Sequence, residues 1–260
     1  MDDDELLAAF DELRRHPRAD EAGGRIERTD HVLREIHADW RGVTWSDLAG
    51  ADVDTVIAEQ IAAFAAVGGA WEWKLYSYDL PADLPHRLLA AGFRAEEEET
   101  VMVGDLERLP FRFDPPAGVE VVRVADEAGI AKMTAVQADV FGAAHAETGA
   151  ATLAAIREEP PGAAALVAIV DGAPVAAGRI ALHPGTGFVS MWGGGVVADQ
   201  RRRGVFRALL SRARAIALDA GYRYAYADAG PQSEPIFRRL GFVALCKTTP
   251  YVMRPAGEDG

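Results

Sequence analysis

Arg201-Arg202-Arg203-Gly204 puts three guanidinium groups and one bare backbone position side by side. Apolar residues follow at Val205, Phe206, Leu209, Leu210, Ala213, Ile216 and Ala217, which is one face of a helix at 3.6-residue spacing. A helix that starts here leaves its first N–H groups without intrahelical acceptors. Those groups and the helix dipole form an anion site. Gly204 has no side chain, so a ligand can come close to the backbone. Arg201, Arg202 and Arg203 supply charge whose geometry suits phosphate. The spacing points to a pyrophosphate site at a strand–loop–helix junction. An ordinary arginine-rich surface turn has the same composition, and the loop alone does not separate the two. A nucleic-acid patch is disfavoured, because the chain as a whole carries a formal charge of −13.

With its surroundings, Arg201-Arg202-Arg203-Gly204-Val205-Phe206 resembles the acetyl-CoA motif of the GNAT superfamily of N-acetyltransferases. Phe206 stands where a small residue is usual, and Ala198 where a proline is usual. The Ala208-Leu209-Leu210 continuation keeps the register. Downstream, Ser233-Glu234-Pro235-Ile236-Phe237-Arg238-Arg239-Leu240-Gly241-Phe242 is similar to the family's late helix, which ends in Leu-Gly-Phe. The resemblance covers roughly Val119 to Met253.

The resemblance implies transfer of an acetyl group from acetyl-CoA to an amine of a small molecule or peptide. It assigns Gly195, Val196 and Val197 to the pantetheine arm, held like an added strand. It assigns Arg201, Arg202, Arg203, Gly204, Val205, Phe206 and Arg207 to the pyrophosphate end. Gly193, Gly194 and Gly195 fit such a site, since glycine weakens a strand unless another group must come close. A β-bulge without a ligand is the other reading. The leaving thiolate needs a proton and the amine must lose one. Phe237, where the family often has a tyrosine, has no proton to give. Ser233 either orients the sulfur or caps its helix. Asp228, Glu147 and His145 are the base candidates, in that order, and His183 ends a hairpin strand. Trp192 packs or shapes the acyl pocket, and Cys246 reads as a buried small apolar residue. Two other functions remain open. One is an acyl-CoA-binding or regulatory protein without turnover; the other is a tandem acyltransferase of a specialised thiol-cofactor pathway.

The elements that must position these residues read as two halves, each a mixed, mostly antiparallel sheet flanked by helices (an α/β, or α+β, class). The second half, 119–260, gives a strand at Val119–Val124, helices at Asp126–Phe141 and Ala151–Glu158, and a buried strand at Ala165–Val170. Asp171-Gly172 signals a type I′ hairpin returning along Val175–His183. Phe188–Val197 leads into the basic loop, and Tyr222–Asp228, Ser233–Leu240 and Val243–Met253 complete the half. In the first half, 1–109, Asp2–Arg15 is an amphipathic helix and Arg25–Ile36 a single strand. Gly42–Leu48, Trp71–Tyr78 and Thr100–Val103 are further strands, Asp52–Val67 and Asp83–Ala91 helices, and Glu96–Glu99 a solvated connection. Pro110 to Gly118 is the linker.

Leu88-Leu89-Ala90-Ala91-Gly92-Phe93 parallels Arg238-Arg239-Leu240-Gly241-Phe242, with Phe93 and Phe242 149 residues apart. Each segment follows an aromatic strand. The first half has no arginine–glycine loop; Trp45-Ser46-Asp47-Leu48-Ala49-Gly50 stands in its place. It reads as a degenerate copy that lost its cofactor site.

Cys246 is the only cysteine, which excludes an intrachain disulfide and a cysteine zinc site and suits a cytoplasmic protein. No metal is expected. The acidic start Met1-Asp2-Asp3-Asp4-Glu5 is unlike a signal peptide, and no apolar run reaches membrane-spanning length. No nucleic-acid or membrane partner is expected, and the chain is expected to be a monomer or homodimer.

Overall fold

A computed structural model describes residues 3–17, 24–37, 40–110, 114–142 and 148–255. The chain forms two compact units that do not follow its linear order. One takes residues 1–102, 228–235 and 244–260, and the other 103–227 and 236–243. The division therefore differs from the linear one at 110–118, because a strand near the end of the sequence pairs with strands near its beginning.

In the first unit, α1 (Asp3–Arg15) precedes β1 (Arg25–Arg28), β2 (Val32–Ile36) and β3 (Arg41–Ser46). The span Arg25–Ile36 is thus a hairpin and not one strand. Thr29 is the cause: its Oγ1 accepts from the N–H groups of His31 and Val32, which turns the chain. Helix α2 (Val53–Val67) crosses to β4 (Trp71–Tyr76), and β3 and β4 pair in parallel through Gly42–Glu72 and Val43–Trp73. Next come α3 (Leu84–Ala90), the short β5 (Arg94–Ala95) and β6 (Glu99–Asp105). Glu99 therefore opens a strand instead of ending a solvated connection. The other edge of β4 pairs antiparallel with β12 (Val243–Met253) from Thr248–Tyr76 to Met253–Trp71, and β5 also pairs with β12. Trp73, Phe64, Ile57 and Leu88 fill the core between α2, α3 and this sheet.

In the second unit, β7 (Val119–Arg123), β8 (Ala163–Val170), β9 (Ala173–His183) and β10 (Phe188–Val196) form an antiparallel meander. The β8–β9 turn has positive φ at both Asp171 and Gly172, as a type I′ turn requires. Helices α4 (Glu127–Phe141) and α5 (Gly149–Ile156) pack on this sheet through Met133, Val136 and Ala155. After β10 a single 3-10 turn, Ala198–Gln200, leads to α6 (Val205–Asp219). Helix α6 buries Val205, Leu209, Ala213 and Ala217, the face marked by the spacing. It returns the chain to β11 (Tyr224–Ala229), which lies parallel to β10. Helix α7 (Glu234–Arg239) precedes β12.

The segment ends that parallel each other in sequence also do so in hydrogen bonding. Phe93 N–H donates to Leu88 C=O and Gly92 N–H to Leu89 C=O, both at 3.1 Å. Phe242 N–H donates to Phe237 C=O at 3.1 Å and Gly241 N–H to Arg238 C=O at 3.0 Å. Both are Schellman caps, with the glycines at φ of 100° and 92° and a buried phenylalanine after each. The arrangement before each cap also recurs: a hairpin, a 15-residue helix and a parallel strand.

Candidate functional site

The basic loop is shaped by its backbone. Gly204 is the N-cap of α6 at φ 84°, in the left-handed region, and no side chain caps the helix. The first intrahelical bond runs from Ala208 N–H to Gly204 C=O. The N–H groups before Ala208 therefore have no helical carbonyl. A Cβ on Gly204 would lie 3.2 Å from Pro116 Cγ, so both conformation and space favour glycine. Arg202 also has positive φ, at 64°. Arg201 Nε donates to Val196 C=O at 3.0 Å and Arg203 Nη1 to Gln200 Oε1 at 2.6 Å. The guanidinium groups of Arg202 and Arg203 lie on exposed residues beside the open helix end.

The strand leading to the loop has a free edge. β10 pairs with β11 from Phe188–Tyr224 to Ser190–Tyr226, and no further rung follows among the described residues. Its other edge pairs with β9, interrupted by a bulge between Trp192 and Gly195. The structure accounts for the mid-strand glycines within the protein itself. A Cβ on Gly193 would meet Gln137 Nε2 at 2.2 Å, and one on Gly195 would meet Val140 Cγ1 at 2.8 Å. A Cβ on Gly194 would lie 3.2 Å from Phe206 Cε2. Helix α4 and Phe206 thus take the volume left by those side chains, and the bulge reading explains the glycines without a ligand. The backbone edge of Gly195 and Val196 is a separate feature. Phe206, the residue at odds with the family pattern, covers Gly194.

At the last paired rung, Ser190 gathers two residues that the sequence marked separately. Its Oγ accepts from Trp192 Nε1 at 2.7 Å and lies 2.9 Å from His183 Nε2. Ser190 itself is buried. Only its place on β10 could have flagged it.

Asp228 lies on β11 two residues after Tyr226, so the two side chains share a strand face. Its side chain is 4% exposed, and Lys74 Nζ donates to its Oδ2 at 2.5 Å. Its other oxygen, Oδ1, is buried without a hydrogen-bond partner among the described residues. Lys74 belongs to β4, where Glu72 and Lys74 occupy the polar positions between Trp71, Trp73 and Leu75. Glu72 and Glu99 lie within the field of this pair. Burial pushes the Glu72 carboxyl above its usual range, with Lys74 opposing and Asp228 reinforcing the rise. Glu99 shifts the same way, again chiefly through burial. Burial is the largest single influence on Lys74 and opposes its charge, but the combined attraction of Asp228, Tyr76 and Glu72 outweighs it and drives the ammonium upward, so Lys74 stays charged. Sequence reading passed over Glu72 and Lys74 because the aromatic stripe between them was read only as core. Their alternation with it was the available signal.

Ser233 immediately precedes α7, and its Oγ donates to Gly230 C=O at 3.2 Å. Phe237 is buried, with its ring 5.0 Å from that of Phe242. Burial pushes the Cys246 thiol up to about 12. His145 and Glu147 lie outside the described residues. Among the described residues no group of three histidine, cysteine or acidic side chains is arranged to hold a metal, and no helix is long and apolar enough to cross a membrane. A cavity of about 440 Å³ lined by Pro160, Pro161, Leu182, Pro184 and Tyr222 lies at the far end of α6, beside Ala220 and Gly221. Tyr222 is the one titratable side chain in its lining.

Residues 130–242 match the model of the acetyltransferase (GNAT) family. A comparison with curated proteins finds no match. Among solved structures, the chain is similar to a GCN5-related N-acetyltransferase from Kribbella flavida, with TM-score 0.70 and 19% identity over 98% of this chain and 96% of that one. It is also similar to a GCN5-related N-acetyltransferase from Sphaerobacter thermophilus, with TM-score 0.63 and 16% identity over 89% and 76%. A tandem GNAT protein from the clavulanic acid biosynthesis pathway aligns over 99% of this chain and 97% of its own, with TM-score 0.59 and 13% identity. At these identities the structural likeness speaks for the fold.

Proposed function

We propose that this chain, which carries a GNAT-family acetyltransferase domain over residues 130–242, moves an acetyl group from acetyl-CoA to an amine of a small molecule or peptide. The observation that carries the reading is the uncapped N-terminus of α6 behind Gly204, directly after a strand with a free edge. The open N–H groups and the guanidinium groups of Arg202, Arg203 and Arg207 would take the pyrophosphate. The backbone of Gly195 through Val197 would take the pantetheine arm as an added strand. Arg201 holds Val196 C=O in this structure and would release it when the arm pairs there.

In the reaction, the acceptor nitrogen bonds to the thioester carbonyl carbon, the C–S bond breaks, and the nitrogen loses a proton. Asp228, on the strand that pairs with β10, is the carboxylate we assign to the acceptor's proton. Ser190, His183 and Trp192 form the polar group nearest the last β10–β11 rung. Phe237 leaves the departing thiolate to take its proton from water.

A second reading, an acyl-CoA-binding protein without turnover, draws support from two observations. Asp228 is engaged by Lys74, and Phe237 is packed against Phe242. Calorimetric titration of acetyl-CoA into the wild type and Gly204→Glu, followed by thiol release with a panel of amines, tests both. Saturable binding lost in the variant is expected, with free thiol appearing only when amine is present. Binding without thiol release favours the second reading. No binding to folded wild type overturns both.

A further inference from the structure

The first unit contains a second opening of the kind assigned above to acetyl-CoA, and the chain's own helix fills it. Parallel strands β3 and β4 pair at Gly42–Glu72 and Val43–Trp73, with no further rung among the described residues. β3 also bulges, because Leu33 pairs with Trp45 and Arg34 with Val43, leaving Thr44 between them. Bulge, short parallel pairing and 15-residue helix thus repeat the pattern of β10, α6 and β11.

Arg14 of α1 lies at this opening. Its Nε and Nη2 donate to Thr44 C=O at 3.3 and 3.1 Å. Its Nη1 donates to Tyr78 Oη at 2.8 Å. Nη1 and Nη2 grip Asp79 Oδ1 and Oδ2 at 3.0 and 3.2 Å, a bidentate pair whose two side chains are each 5% exposed. The guanidinium carbon lies 3.6 Å from the centre of the Tyr76 ring. Asp79 Oδ2 also accepts from Tyr76 N–H at 2.9 Å. That N–H lies on the β4 edge away from β12, because the next one, Ser77 N–H, donates to Lys247 C=O of β12. The Arg14–Asp79 pair therefore links Thr44 C=O on β3 to Tyr76 N–H on β4, taking two backbone groups that a strand-like ligand would use.

The helix end is closed as well. Asp52 is the N-cap of α2, and its Oδ1 accepts from Thr55 N–H at 3.3 Å. A carboxylate thus stands where α6 presents Gly204 and open N–H groups, and it repels phosphate.

We infer that the first unit keeps a ligand cleft specific for guanidinium, occupied in cis by Arg14, and that the protein binds one equivalent of acyl-CoA. The stoichiometry rests on the Gly204 site being the acyl-CoA site; the occupancy by Arg14 does not. Two experiments separate them. Titration of wild type with acetyl-CoA should saturate at one equivalent, and Gly204→Glu should leave no residual binding. A second equivalent, or binding that survives in Gly204→Glu, overturns the closed cleft. No binding at all overturns the Gly204 reading alone. In Arg14→Ala, millimolar guanidinium chloride, far below denaturing concentrations, should raise the lowered Tm, whereas equal sodium chloride or tetramethylammonium chloride should not. Equal effects of all three salts, or a Tm unchanged from wild type, overturn the guanidinium site. If Arg14→Ala does not fold, Arg14→Lys replaces it. That variant keeps the charge without the bidentate fork, and a Tm equal to wild type would again overturn the site.

Discussion

Lys74 Nζ donates to Asp228 Oδ2 at 2.5 Å, joining a strand near the start of the sequence to one near its end. Both side chains are nearly buried, so each needs the other. Removing one partner leaves an unpaired buried charge. Lys74→Met is expected to lower unfolding free energy by about 3–5 kcal/mol. Urea unfolding of wild type, Lys74→Met and Lys74→Met/Asp228→Leu checks this, and the double variant should recover most of the loss. A mild Lys74→Met would mean the pair is solvated.

Asp228→Asn keeps the shape and removes the carboxylate. If Asp228 serves the acceptor's proton, kcat falls while acetyl-CoA affinity stays within about twofold. Calorimetry and thiol release on the same preparation separate the two effects. Normal turnover across pH would remove Asp228 from that role.

The carboxyls of Glu72 and Glu99 have folded pKa values above their unfolded ones. Groups of this sign contribute stability that is fully present below the unfolded value, about 4.3. It is lost as pH rises through the folded value. Wild-type Tm should carry a falling component from about pH 4.3 upward. Glu72→Gln/Glu99→Gln should flatten it, as read by scanning calorimetry at several pH values. An unchanged slope would mean that both groups titrate as in the unfolded chain.

The paired Schellman caps make a comparison within one molecule. Gly92 and Gly241 both have positive φ, but only at Gly241 does an added Cβ collide with protein, meeting Pro110 Cδ at 2.8 Å. Gly92→Ala is expected to cost about 1–2 kcal/mol from the left-handed backbone alone. Gly241→Ala should cost more. Equal values by chemical denaturation would show that Pro110 gives way.

Cys246 carries a thiol pushed up to about 12, so little thiolate exists at pH 8. Alkylation by iodoacetamide at that pH should be many-fold slower in the native protein than in urea. Equal rates would place the thiol in solvent.

Features set by backbone chemistry were legible in the sequence. Gly204 with its helix, the Asp171-Gly172 hairpin and the two Gly-Phe caps each depend on residues a few positions apart. Features set by contacts distant in sequence were not. Glu99 looked solvated within an acidic run, yet β6 carries it into the field of Lys74 and Asp228. The glycines of β10 looked like ligand clearance, whereas Gln137, Val140 and Phe206 occupy the space. Arg14 looked like the polar edge of an amphipathic helix. Its partners, Thr44, Tyr78 and Asp79, lie 30 to 65 residues away.

The first unit draws residues 1–102 together with 228–235 and 244–260, and β12 supplies the partner strand of β4 along its whole length. During synthesis, therefore, residues 1–102 emerge well before the strand that completes their sheet. Trp71, Trp73 and their neighbours await a strand translated some 180 residues later. For that interval the nascent chain presents an unfinished aromatic sheet edge, which closes only when β12 has emerged.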